Sequence, residues 1–150
     1  MPTTDPTRIV VPGTKSTPSI LLDPATGHFE FSGSSMPENA AEFFSPVIDW
    51  LGNVLPGLPA STFVFRLDYF STSSMKAFYL ILKRIAEART EEVQHRIHWQ
   101  IEDNDEFMVE AADSFEELLN TTIERIPMDN GTAMAASEAL QQRIRSMSQG

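Results

Sequence analysis

The sequence predicts an α/β domain: a four-stranded mixed sheet in the order ββαβαβα, with helices mainly on one face. Two periodicities carry this. Phe63, Phe65, Leu67 and Tyr69 alternate with Val64, Arg66 and Asp68 at strand period, whereas Met75, Phe78, Tyr79, Leu82, Ile85 and Ala86 recur at helix spacing. The two patterns take turns along the chain, as crossover units of a partly parallel sheet require. A third observation sets the layering. Phe29 and Phe31 oppose His28, Glu30 and Ser32, and Ile97, Trp99 and Ile101 oppose Arg96, His98 and Gln100. One sheet face is therefore apolar and the other largely polar, so the helices stack on one side.

Residues 1–18 carry four prolines and no sustained periodicity, and read as an extended arm. Residues 19–126 form the single domain. Ser19 to Asp23 and His28 to Ser32 are strands joined through Pro24-Ala25-Thr26-Gly27, a hairpin with a four-residue connection. After the loop Gly33 to Pro37, Asn39 with Glu42 three residues on makes a capping-box-like helix start. That helix runs through Phe43, Phe44, Val47, Ile48, Leu51 and Val54, with Pro46 expected to kink it or shift its start. Thr62 to Phe70 is the third strand, Ser73 to Thr90 the second helix and Gln94 to Ile101 the fourth strand. The third helix spans Asn104 to Ile123 on a stripe of Phe107, Met108, Ala111, Ala112, Phe115, Leu118, Leu119 and Ile123. Right-handed crossovers would make strands two, three and four parallel. Residues 127–150 read as a frayed tail or as a short helix on Ala136, Leu140, Ile144 and Met147 that docks on a partner, and truncation after Pro127 is expected to leave stability nearly unchanged.

Composition bounds the function. The 150 residues are 41% hydrophobic, enough for one core, and contain no stretch long and apolar enough to span a membrane. Met1 to Arg8 lacks the apolar region of a secretory signal, so a cytoplasmic location is the expectation. Cysteine is absent, which removes disulfides, thiolate metal sites and cysteine nucleophiles. A net charge of −10 argues against binding nucleic acid or an anionic membrane, both of which need Lys and Arg on phosphates. Nine acidic residues and no Lys or Arg lie between Glu102 and Glu124, either a solvated helix face or a partner-docking surface.

No enzyme motif survives inspection, and no cofactor or metal is expected. Gly13-Thr14-Lys15-Ser16-Thr17 lacks the upstream Gly and the Gly-Lys step of a phosphate-binding loop, and it precedes a strand instead of following one. Asp103-Asn104-Asp105 could open a calcium loop, but Met108 stands where such a loop needs Gly. His95 and His98 fall on opposite sides of a strand and cannot share a metal. There is no Gly-x-Ser-x-Gly elbow.

One feature does carry chemistry. Ser71-Thr72-Ser73-Ser74 sits where the third strand hands over to the second helix. Hydroxyls there either cap the helix or crown an N-terminus whose free N–H groups and dipole favour a phosphate.

Four segments, in order and spacing, resemble the SiaC family of bacterial regulatory phosphoproteins from about Gly13 to about Leu119. They are Gly13-Thr14-Lys15-Ser16-Thr17-Pro18; Pro37-Glu38-Asn39 with Val47-Ile48-Asp49-Trp50-Leu51; Tyr69-Phe70-Ser71-Thr72-Ser73-Ser74-Met75-Lys76; and Glu102-Asp103-Asn104-Asp105-Glu106 after Trp99. The predicted layout likewise resembles the STAS-like fold of anti-sigma-factor antagonists, in which a phosphorylatable hydroxyl heads a helix. The resemblance implies a non-catalytic partner-switching protein phosphorylated on Thr72, with Ser71, Ser73 and Ser74 shaping the surroundings and Asn39 capping the neighbouring helix. It implies three partners: a kinase of histidine-kinase-like fold, a PP2C-type metal-dependent phosphatase and a diguanylate cyclase. The unphosphorylated form would activate the cyclase, linking the chain to cyclic-di-GMP, aggregation and biofilm formation. Family members commonly carry Asn before the threonine, where this chain has Ser71, which makes Ser71 a rival acceptor. The alternative from another class is a small carrier domain that holds a free anion at the same helix N-terminus.

Overall fold

A computed structural model describes residues 7–149 as a six-stranded sheet in spatial order β1 to β6 with four α-helices. The α/β class and mixed sheet are as expected; the count of four strands and three helices is corrected to six and four. The first three strands, β1 (Ile9–Val11), β2 (Ser19–Asp23) and β3 (His28–Ser35), are antiparallel. From β3 onward the sheet is parallel through β4 (Thr62–Phe70), β5 (Arg96–Glu102) and β6 (Glu124–Met128). Helices α1 (Ala40–Asn53), α2 (Thr72–Glu87) and α3 (Glu106–Leu119) connect the parallel strands, and α4 (Asn130–Gln149) follows β6.

The two extra strands are edges, and their sequences show why they are easy to overlook. β1 has only three residues, all β-branched, in a stretch read as an arm; residues 1–6 of that stretch lie outside the described residues. β6 contains Pro127, which pairs with Ile101 at the sheet margin, where a missing N–H costs no ladder bond to a further strand. Ile123 is buried ahead of β6 and not on α3, because Asn120 adopts a left-handed conformation (φ 49°) and stops the helix. α1 passes through Pro46 to Asn53, starting where Asn39 caps it.

The core follows from strand register. Phe29 lies beside Phe63 and that beside Ile97; Phe31 lies beside Phe65 and that beside Trp99. Phe31 and Phe65 stack with centroids 4.7 Å apart, and Phe78 of α2 meets both edge-on. Phe44 and Val47 of α1, Ile81 and Ile85 of α2, and Met108 and Phe115 of α3 complete this buried layer. Burial of so many large apolar side chains, at roughly 1.5–3 kcal/mol each, is the dominant stabilising term.

The second face is where the expected one-sided arrangement fails. Leu21 points away from its neighbours Ile20 and Leu22 and packs with Leu140 and Ile144 of α4, flanked by Val10 and Met147. Ser32 and Ser137 meet at 3.0 Å across this contact. Asp129 caps α4 by accepting from the Thr132 amide at 2.7 Å. The stretch read as a tail is thus a docked helix. Beside it lies a buried ion pair between Glu30 and Arg66, with Gln100 accepting from Arg66 Nε at 2.7 Å. Burial pushes the Glu30 carboxyl up, but His28 and Arg66 outweigh it and hold the group below its ordinary value.

Candidate functional site

The carboxyl ends of β3 and β4 meet the start of α2, and the four hydroxyls divide their roles there. Ser71 is the N-cap: its side chain accepts from the Ser74 amide at 3.3 Å, and its own amide donates to the Ser35 carbonyl at 2.9 Å. Ser71 Oγ also lies 3.2 Å from Ser73 Oγ and donates to Ser74 Oγ at the same distance. Ser74 is fully buried, donating to the Ser35 carbonyl at 3.0 Å and meeting Ser35 Oγ at 2.8 Å. This chain of hydroxyls ties the first turn of α2 to the end of β3. Ser74 is therefore an anchor, sealed from any macromolecule.

Thr72 and Ser73 face outward. Among the described residues the Thr72 hydroxyl has no hydrogen-bond partner. It opens onto a groove of about 400 Å³ between α2 and α3, lined by Thr72, Met75, Lys76, Tyr79, Phe115 and Leu118. Ser73 opens onto a smaller groove of about 210 Å³ on the α1 side, shared with Ile48, Asp49 and Leu80. Lys76 lines both. Asn39 is not drawn into this hydroxyl chain; its side chain bonds the Glu42 amide at 3.1 Å and the Glu42 carboxylate at 3.3 Å, within the first turn of α1.

Charge around the site is uneven. The first turns of α1 and α3 carry Glu42 and Glu106, which complement the helix dipole, whereas the first turn of α2 carries no acid. On the α3 side, burial and the neighbouring Asp105 push the Asp68 carboxyl up, and burial with Asp68, Asp105 and Asp103 does the same to Glu102. Further along the acidic run the charges are spent in the fold. Asp113 and Glu116 pair with Arg125, and Glu124 pairs with Arg96. The exposed rings of Tyr69 and Phe107 stack at 5.4 Å between the acidic loop and the α2 start.

Sequence reasoning missed three contributors. Ser35 falls in a stretch that the sequence reads as loop, because Gly33-Ser34-Ser35 holds no strand former; β3 continues there through a bulge at Gly33, whose φ of 110° only glycine adopts readily. Lys76 appeared only as a motif member. Leu118 appeared only as part of an apolar stripe, yet it is 63% exposed beside Thr72. Among the described residues no group of His, Asp and Glu is arranged to hold a metal ion, and no helix is long and apolar enough to cross a membrane.

Comparison with known proteins identifies the family. The family model described as SiaC family regulatory phosphoprotein matches residues 11–128. The chain is 37% identical over 108 residues to an uncharacterised protein of Pseudomonas aeruginosa strain UCBPP-PA14, covering 71% of this chain and 86% of that one. It superposes on SiaC of Pseudomonas aeruginosa with a TM-score of 0.70 at 31% identity, covering 82% of this chain and 98% of that one. The same relative in a crystal structure of the diguanylate cyclase SiaD in complex with its activator SiaC gives 0.71 at 32% identity, covering 81% and 99%. The family match ends at Met128, immediately before α4.

Proposed function

The chain belongs to the SiaC family of regulatory phosphoproteins, and from that premise we propose that it is a non-catalytic, cytoplasmic phospho-switch. Thr72 is the acceptor. A dedicated kinase of histidine-kinase-like fold adds the phosphate and a PP2C-type phosphatase removes it. The unphosphorylated protein binds and activates a diguanylate cyclase, a reading supported by its likeness to SiaC, the activator crystallised with the cyclase SiaD, and so links the chain to cyclic-di-GMP, aggregation and biofilm formation.

The observation that carries the reading is the position of Thr72: exposed, unbonded, and at the first position of a helix whose dipole no acid offsets. A phosphate there would meet free N–H groups and the positive helix end. The neighbouring hydroxyls are poorer acceptors, because Ser74 is buried and Ser71 is committed to the cap. The grooves beside α2 are lined mainly by apolar side chains, which suits a protein surface better than a free anion.

The test is intact-mass analysis and phosphopeptide mapping after incubation with the kinase and ATP. A single phosphoryl group on Thr72, lost in Thr72→Ala, is the expected result. A label on Ser71 or Ser73 in the unaltered protein would overturn the assignment.

A further inference from the structure

Lys76 stands one helical turn beyond Thr72, and residues four apart on a helix are surface neighbours. Both side chains are exposed and line the same groove between α2 and α3. The other side chains lining that groove, Met75, Tyr79, Phe115 and Leu118, are aliphatic or aromatic. On the opposite side Lys76 shares the smaller groove with Asp49. Among the described residues no carboxylate lies within ion-pair distance of Lys76. In a chain of net charge −10, with Asp68, Glu102, Asp103 and Asp105 gathered on the α3 side, an unpaired cation at this spot is out of keeping with its surroundings.

We propose that Lys76 is the positioning residue for the phosphate: its ammonium pairs with phosphorylated Thr72 across one turn of α2. This rests on the reading of Thr72 as the acceptor. Before modification the groove offers a partner an apolar surface with one free cation at its rim, a match for an apolar element bearing a carboxylate. After modification the cation is taken by the phosphate, and the groove presents net negative charge. Phosphorylation thus changes two features at once, adding a dianion and withdrawing the cation that lines this groove.

The test uses full-length protein with phosphothreonine introduced at position 72 during synthesis, so that labelling does not depend on how the kinase recognises Lys76. The second ionisation of the phosphate, ordinarily near pH ~6, is followed by phosphorus NMR in Lys76, Lys76→Gln and Lys76→Arg forms. A nearby cation favours the dianion, so Lys76→Gln is expected to raise the midpoint by about half a pH unit, with Lys76→Arg restoring it. Equal midpoints in all three forms would overturn the pairing while leaving Thr72 as acceptor. A kinase label elsewhere than Thr72, found by separate mapping, would overturn both. Lys76 is exposed, so neither substitution threatens the fold.

Discussion

At the scale of single residues, four adjacent hydroxyls have three different occupations, and accessibility separates them more sharply than residue type. Ser71 satisfies an orphan helix amide, Ser74 is sealed against Ser35, and Thr72 and Ser73 reach solvent. The distinction has an energetic signature. Ser71→Ala removes the cap and should cost about 1 kcal/mol, whereas Thr72→Ala removes no hydrogen bond and should be close to neutral. Denaturant midpoints of the two variants measure the difference. If Thr72→Ala cost as much as Ser71→Ala, Thr72 would share the capping role and its availability to a kinase would need another explanation. Sequence spacing located this cluster, since strand period gives way to helix period at Phe70. It could not rank the four hydroxyls, because which one caps depends on backbone geometry, and which one is buried depends on Ser35, distant in sequence.

Among the elements, legibility tracked apolar periodicity. β2 to β5 and α1 to α3 each bury a stripe of large side chains in the main core, so their patterns were strong. β1, β6 and α4 were weak because edges and secondary layers bury less. Three residues suffice for β1, Pro127 interrupts β6, and among the described residues of α4 only Ala133, Leu140 and Ile144 are fully buried. Asp129, with Thr132 three residues on, was a readable start signal for α4 that the thin stripe obscured. The docked helix reverses the expectation of a dispensable tail. Truncation after Met128 should expose Leu21 and Ser32 and lower the denaturation midpoint measurably. Leu140→Ala alone should cost about 2 kcal/mol, the low end for a buried aliphatic side chain in a small cluster. An unchanged midpoint in both variants would show that α4 adds nothing to folding stability.

For the whole molecule, the sheet separates two regions with different duties. The carboxyl ends of β3 and β4 present the hydroxyl cluster, the grooves flanking α2 and the stacked Tyr69 and Phe107, while α4 closes the opposite face over β1 to β3. Thr72 lies outside both apolar clusters, so a phosphate there has no core to disrupt and the helix end accommodates it. The cost falls on association, where a surface that covers a neutral hydroxyl must now cover or expel a dianion. We therefore expect phosphorylation at Thr72 to weaken diguanylate cyclase binding on the order of a hundredfold without altering the fold. Thr72→Asp supplies about one charge and lacks the geometry of the phosphate, so it should reproduce only part of the loss. Titration of modified and unmodified protein against the cyclase, with circular dichroism recorded on the same samples, decides the matter. Equal affinities would refute the switch, and a weakened affinity accompanied by a collapsed spectrum would replace local repulsion at the α2 terminus with unfolding as its cause.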